Sequence, residues 1–390
     1  MDDQPKIHFD SARRIIVKVG SGVLTGEDGL NLKIVRSLSR QICRLIDQGL
    51  EVILVTSGAM ACGIKKMALK KRPDEIPKRQ ASAAIGQAGL ILEYEKAFEK
   101  HHKKVAQILL TSDDLFNRKR YLNARNTIHT LLSWKVVPII NENDTVIVEE
   151  IKFGDNDNLS ALIALLMDAD ILINLTDIDG LYTKDPRKHP DAELIGEITT
   201  ITRELENFAS GISGTLGMGG MLSKIRAAKK VTAAGIPMVI ANGKTPDILI
   251  RLFSGEKHGS FFSRQNEKMA RRKCWIAFTL KPKGRIIVDK GAAAAMVERG
   301  TSLLPSGVIQ VEGDFPVGSP VQVLSEDLQV LGNGLVNYSA AETRQIMGLK
   351  SHQIKERLGY QPYDEIIHRD NLVIMADACD MESFCSKLQG

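Results

Sequence analysis

Six short apolar runs, each separated from the next by a longer stretch, restrict the first 262 residues to very few folds. The runs are RIIVKVG (14–20), EVILVTSG (51–58), KVAQILLT (104–111), KVVPIIN (135–141), DILINLTD (170–177) and IPMVIANG (236–243). A strand with one wet face alternates apolar and polar residues. These runs are nearly continuous, which marks strands buried on both faces. Segments between them, such as NLKIVRSLSRQICRLIDQ (31–48) and SAAIGQAGLILEYEKAFEKHH (82–102), repeat their apolar residues at helical intervals. Strands separated by helices imply an α/β fold: an open, mostly parallel sheet covered by helices on both faces. Pro138, inside one run, speaks against that strand, because proline removes a ladder donor.

The texture changes near residue 274. KGRIIVDKG, PSGVIQVEGDFPVGSPVQVLS and LQVLGNGLVNYS alternate short runs with turn signals, which reads as a compact β-rich domain. The polar, basic RQNEKMARRKC (264–274) between the two textures reads as a linker. The expected organisation is an α/β domain over residues 1–265, a linker over 266–275, a β-rich domain over 276–370 and a tail over 371–390. A length of 390 residues with 43% apolar content is ample for two cores.

Charge narrows the partners only slightly. Fifty-two basic and 47 acidic residues give +5, which neither requires nucleic acid nor excludes it. The aromatic content of 5% offers no stacking platform, so RNA is not an expected partner. The basic segment with Lys268, Arg271, Arg272 and Lys273 reads as a solvated linker. Five scattered cysteines with no CxxC pair read as reduced thiols of a cytoplasmic protein. No run of 18 apolar residues occurs and no apolar leader opens the sequence, so neither a membrane span nor export is expected.

In an open parallel sheet, ligands bind beyond the carboxyl ends of the strands. Four run ends carry small or polar residues: Lys18 with Gly20-Ser21-Gly22, Thr56-Ser57-Gly58-Ala59, Asn141-Glu142-Asn143-Asp144, and Thr176-Asp177. Any one of them reads equally as a tight turn. Four on one edge point to an anionic ligand, because small residues let backbone N–H groups approach it. A second glycine-rich stretch, GTLGMGGMLSKIRAAKKVTAAG (214–235), places Gly217, Gly219 and Gly220 ahead of an amphipathic helix bearing Lys224. It lacks GxxxxGK[ST], so it is not a Walker A loop, and a flexible loop with a solvated lysine remains open. Arg226, two residues on, belongs to another helical face.

Five aspartates, Asp155, Asp157, Asp168, Asp170 and Asp177, crowd around two apolar runs between residues 153 and 186. Asp155 reads as a catalytic assistant or as the N-cap of the helix starting there. Asp168 and Asp170, at a helix-to-strand junction, read as solvated, and Asp179 and Asp185 as turn residues. The eight histidines show neither triad nor metal-ligand spacing, so no metal held by protein side chains is expected. Two distant lysines with glycine loops and aspartates, but no nucleophile–base pair, suit phosphoryl transfer, which needs positioning and charge neutralisation.

The chain resembles the amino acid kinase family, and within it the branch that phosphorylates free L-glutamate. The resemblance rests on VKVGSGVLT (17–25), VTSGAMACG (55–63), RYLNARNTI (120–128), PIINENDTV (138–146), KFGDNDNLSA (152–161), LTDIDGLYTKDP (175–186) and GMGGMLSKIRAA (217–228). ERGTSLLPSGV (298–308) and GLVNYSAAE (334–342) extend it to the C-terminal part, which it identifies as a PUA domain. The resemblance implies ATP, with Mg²⁺, as phosphoryl donor to the glutamate γ-carboxylate, in the first step of proline biosynthesis. It implies that Ser57, Asp144 and Asn156 contact glutamate. Lys18, Thr176, Asp177 and the stretch Met218, Gly219, Gly220, Met221, Leu222, Ser223 and Lys224 bind ATP. Lys18 and Lys224 stabilise the transferring phosphoryl group, with Asp157 as their organiser. It further implies a homotetramer, feedback inhibition by L-proline and functional coupling to glutamyl-phosphate reductase. Two departures stand out: Met218 replaces a threonine common in the family, and Gly20-Ser21-Gly22 replaces Gly-Thr-Ser.

Overall fold

The structure is a computed structural model that describes residues 9–26, 29–146, 156–186, 188–202, 204–206, 220–264, 273, 276, 280 and 282–374. The chain divides into two compact units, Met1–Lys268 and Met269–Gly390.

Among the described residues, ten strands belong to the first unit. They are β1 (Arg14–Val19), β2 (Thr25–Gly26), β3 (Gly29–Leu30), β4 (Glu51–Val55), β5 (Lys104–Leu110), β6 (Val136–Glu142), β7 (Ile171–Thr176), β8 (Glu197–Ile198), β9 (Met238–Asn242) and β10 (Ser260–Phe262). Eight of them form one sheet in the order β5-β6-β4-β1-β7-β9-β10-β8, and β2 and β3 form a separate small hairpin. Among the described residues, only the β9–β10 pairing in the large sheet is antiparallel. The helices are α1 (Ser21–Leu24), α2 (Leu32–Asp47), α3 (Ala59–Lys66), α4 (Ile76–Glu99), α5 (Ser112–Phe116), α6 (Arg118–Ser133), α7 (Asn156–Met167), α8 (Met221–Ala233) and α9 (Ile248–Phe253).

The near-continuous apolar runs are explained by two cores, one on each face of the sheet. Ile15, Val17 and Val19 of β1 pack with α2 and α4 residues such as Leu38, Ile42, Leu90 and Tyr94. Ile16 points the other way, into a cluster with Leu162 and Leu166 of α7 and Ile225 and Val231 of α8. Alternate residues of a strand face opposite sides, so a strand buried on both must be apolar throughout. Pro138 lies within β6 after all. The ladder between β6 and β4 begins only at Ile139, immediately after it.

α3 and α4 cross unusually closely. A Cβ placed on Gly63 would lie 1.7 Å from the Ser82 carbonyl oxygen, and one on Gly86 would lie 1.8 Å from that of Ala59. Only glycine permits this approach, which locks the start of α3 onto the middle of α4.

The second unit holds a five-stranded sheet of β11 (Gly284–Val288), β12 (Val308–Gly313), β13 (Pro320–Leu324), β14 (Val330–Leu335) and β15 (Leu372–Ile374), ordered β12-β11-β13-β14-β15. Its core gathers Ile286, Met296, Phe315, Val323, Tyr338 and Ile367. β15 lies beyond residue 370, where the tail was expected to begin. Three residues are too few to show a periodicity, but Leu372 and Val373 are buried and pair with β14. Residues 265–272, most of the expected linker, lie outside the described residues.

Candidate active site

The carboxyl end of β1 delivers Lys18, a charged residue only 4% exposed. Directly opposite it on β7 stands Asn174, fully buried. An isolated ammonium at this depth is costly, and so is a carboxylate. Asp157, the second residue of α7, resolves both costs. Its Oδ1 accepts from Lys18 Nζ, and from Asn174 Nδ2 at 2.8 Å. Its Oδ2 accepts from Ser223 Oγ at 2.6 Å and from Lys224 Nζ at 3.1 Å. Burial alone would raise the Asp157 pKa. The Lys18 and Lys224 charges, with the bonds from Lys18 and Ser223, overcome it and hold the carboxyl well below the usual carboxylate range. One anion thus holds two cations of segments 206 residues apart.

Lys224 reaches this point because α8 begins at Met221, with Gly220 extended before it (φ −70°, ψ 177°). Met221 and Lys224 are buried on the inner face of the first turns, and Leu222 and Ser223 are half-buried. Ser223 also donates back to the Gly220 carbonyl at 2.8 Å. Arg226 is exposed, as the helical spacing requires. Met218, Gly219 and Asp155 lie outside the described residues.

Asn156 precedes Asp157, so the two side chains leave the first turn of α7 in different directions. Asn156 Nδ2 donates to Ser57 Oγ at 2.9 Å and to Asn141 Oδ1 at 3.2 Å. Asn141 Nδ2 in turn donates to Gln87 Oε1 of α4 at 2.7 Å. Ser57 is presented by a sharp turn at Gly58, whose φ of +99° is left-handed. Thr56, beside it, shares a hydrogen bond with the hydroxyl of the fully buried Tyr94, at 2.9 Å. Asp144 opens a short 3₁₀ turn after β6 and is half-buried; burial pushes its carboxyl up to about 6. The first turn of α7 therefore joins two chemically distinct halves: a cationic cluster on one side and an amide and hydroxyl set on the other.

At the end of β7, Thr176 is buried and donates to the Asp177 carboxylate at 3.2 Å, while Asp177 itself is exposed. A Cβ on Gly22 would sit 3.0 Å from Asp177 Cγ, so glycine there gives the Asp177 carboxylate its room. The remaining aspartates fall elsewhere. Asp170 is exposed but anchors the entry to β1, accepting at 2.8 Å from the N–H groups of both Arg13 and Arg14. Asp168 is not simply solvated: it is half-buried and pairs with Arg125 at 3.4 Å. Asp179 accepts from Asn242 Nδ2 at 3.0 Å, which ties the turn after β7 to the end of β9.

Asn174 and Gln87 escaped the sequence reading. Asn174 had a usable signal, being a lone amide inside an otherwise apolar strand. Gln87 had none, because a polar residue on a helix usually faces water. Among the described residues, no group of three His, Cys, Asp or Glu is placed to hold a metal ion.

A buried carboxylate that anchors two lysines at the carboxyl ends of a parallel sheet, one of them in the first turn of a helix entered through glycine, has the charge arrangement that phosphoryl transfer calls for. Residues 13–242 match the model of the amino acid kinase family, and residues 284–358 match that of the PUA domain. The glutamate 5-kinase of Geobacter sulfurreducens is 51% identical over 368 residues, covering 94% of this chain and 99% of that protein. The glutamate 5-kinase of a Thermoanaerobacter species is 51% identical over 363 residues, 93% of this chain and 98% of that one. The glutamate 5-kinase of Syntrophus aciditrophicus is 49% identical over 375 residues, 96% and 97% of the two chains. The chain belongs to the amino acid kinase family and, within it, to the glutamate 5-kinases. Among the described residues no helix is long and apolar enough to cross a membrane.

Proposed function

We propose that this protein transfers the γ-phosphoryl group of ATP to the γ-carboxylate of free L-glutamate, giving L-glutamyl 5-phosphate, the first step of proline biosynthesis. The observation that carries this reading is the first turn of α7, where Asp157 holds Lys18 and Lys224 while the adjacent Asn156 reaches Ser57 and Asn141. The relatives named above, each called a glutamate 5-kinase, support the choice of amino acid.

The roles follow from the chemistry. ATP lies over Thr176, Asp177 and the stretch from Met218 to Lys224, with backbone N–H groups at the start of α8 facing its phosphates. Glutamate lies against Ser57, Asn156 and Asp144, whose carboxylate takes the α-ammonium in a charge-assisted bond. The γ-carboxylate is ionised at neutral pH and needs no general base. One of its oxygens attacks the γ-phosphorus, the bond to the β–γ bridging oxygen breaks, and ADP leaves. Lys18 and Lys224 neutralise charge on the transferring group, and Asp157 keeps both aimed at it. Asp157 is already committed to the lysines, so Mg²⁺ would enter as a companion of the nucleotide and not on that carboxylate. It supplies charge neutralisation on the phosphates.

The same reading gives a cytoplasmic, oligomeric enzyme, a tetramer by family resemblance, coupled to glutamyl-phosphate reductase. The kinase domain covers residues 1–265 and the PUA domain begins near 276. L-Proline carries the amino acid head of glutamate without the γ-carboxylate, so it competes with glutamate at Asp144 and Asn156 without supporting transfer. ADP release measured across a panel of carboxylic amino acids, with hydroxylamine to trap an acyl phosphate, checks the reaction. Hydroxamate formation with glutamate alone is expected. Equal turnover of N-acetylglutamate, which lacks the ammonium, contradicts the assignment of Asp144.

A further inference from the structure

Three carboxamides, Gln87, Asn141 and Asn156, form a hydrogen-bonded chain. A carboxamide has one accepting oxygen and one donating nitrogen, so satisfying one bond dictates which atom faces the next. Gln87 Oε1 accepts from Asn141 Nδ2 at 2.7 Å. The Asn141 oxygen must then face Asn156, and it accepts from Asn156 Nδ2 at 3.2 Å. The same Nδ2 donates to Ser57 Oγ at 2.9 Å. Both donor hydrogens of Asn156 are thereby used on the protein. Its oxygen, Oδ1, is buried and has no hydrogen-bond partner among the described residues.

A buried acceptor without a donor is costly, and native proteins rarely leave one unless a ligand completes it. On the substrate reading above, the ligand's chemistry identifies the donor. At neutral pH both carboxylates of glutamate only accept, and its α-ammonium is its sole donor group.

We propose that Gln87 is a positioning residue for the amino-acid substrate. From outside the substrate-binding set it orients the Asn141 and Asn156 carboxamides, and so turns Asn156 Oδ1 toward the α-ammonium. The ammonium then has two acceptors of different kinds. Asp144 provides charge, and Asn156 Oδ1 provides direction. Gln87 is half-buried on α4, the helix that also fixes the start of α3 through Gly86 and braces Thr56 through Tyr94.

The experiment compares three full-length enzymes: wild type, Gln87→Met and Gln87→Glu. Methionine keeps the length and removes the acceptor, so the amide chain loses its fixed direction. Glutamate keeps an acceptor facing Asn141 Nδ2. For Gln87→Met, KM for L-glutamate is expected to rise about tenfold, the scale of one lost hydrogen bond to a charged group. KM for ATP stays unchanged. Gln87→Glu is expected to remain within about threefold of wild type on both. Glutarate, which lacks the α-amino group, is then tested as a competitive inhibitor. Its Ki should be the same for wild type and Gln87→Met, because the lost orientation serves only the ammonium. Unchanged glutamate KM in Gln87→Met, or a glutarate Ki that rises in parallel with the glutamate KM, overturns the proposal. Wild-type turnover on glutamate is the separate control: its absence would reject the substrate, whereas a failure confined to the variants rejects only the role of Gln87.

Discussion

Replacing Asp157 by asparagine changes a single atom type at the centre of the site, and the structure fixes what must follow. The carboxylate is 1% exposed and lies between Lys18 and Lys224, which are 4% and 6% exposed. Without it, two ammonium groups at the same depth face each other with no compensating charge. Breaking a buried ion pair by removing one partner costs about 3–5 kcal/mol. At about 2–4 °C per kcal/mol for a domain of this size, we predict that Asp157→Asn lowers the melting temperature of the kinase unit by roughly 6–20 °C. The loss should be constant between pH 5 and 8. The native pKa of Asp157 lies below the usual range, so its stabilisation is present above the unfolded value and fades only under acid.

Two further arms make the reasoning specific. Adding Lys224→Met to Asp157→Asn removes one of the opposed charges and should recover part of the melting temperature without recovering turnover. Saturating ATP, whose phosphates bring negative charge back to the lysines, should raise the melting temperature of Asp157→Asn more than that of wild type. Thermal unfolding of the full-length protein followed by circular dichroism, with and without nucleotide, reads all three. A single variant within about 1 kcal/mol of wild type, or a double variant no more stable than Asp157→Asn, would refute the account of Asp157 as a shared counter-ion.

Lys224→Met and Lys18→Met should each lower kcat by on the order of 10²–10³, the scale for losing one transition-state charge donor; steady-state rates of the folded variants check this. Asp144 titrates near 6 because of its burial, and a bound ammonium favours its ionised form. Glutamate binding should therefore be full above pH 6 and weaken as pH falls through it, KM rising toward about tenfold per unit while KM for ATP holds. Asp144→Asn should abolish that slope. Gly86→Ala would drive a methyl group into the Ala59 carbonyl and displace the turn that presents Ser57, at about 1–3 kcal/mol of stability; a raised glutamate KM and a lower melting temperature are expected. A chain ending at Gln265 should still fold and phosphorylate glutamate, and loss of its folded circular dichroism signal would show that the second unit completes the first.

The parts of this molecule visible in its sequence are those where a side chain contradicts its surroundings. Lys18 stands out because a charge ends an apolar run, and Lys224 because a lysine follows clustered glycines. The central strands read clearly because burial on two faces leaves polar residues mainly at their ends. Asn174 is the exception within such a strand, and its role beside Asp157 becomes evident only when β1 and β7 lie next to each other. Gln87 and Gly86 were not legible at all: each acts across a helix crossing that no local pattern encodes. The same holds for the small strands β2, β3, β8 and β10, two or three residues long, whose existence depends on a partner rather than on periodicity.

The sheet order has a consequence for how the chain comes off the ribosome. β1 is made before both of its neighbours in the sheet, β4 and β7. β7 begins at Ile171, 157 residues after Arg14. At about 5–20 residues per second, that flank of β1 stays unpaired for roughly 8–30 s of synthesis. During this interval RIIVKV is an open, strongly apolar edge, the kind of segment that aggregates or recruits chaperones. Arg14 and Lys18 are the two charges within it, and the counter-ion of Lys18, Asp157, is also made late. These two charges interrupt the apolar run and act as gatekeepers against sticking while the strand waits for its partner.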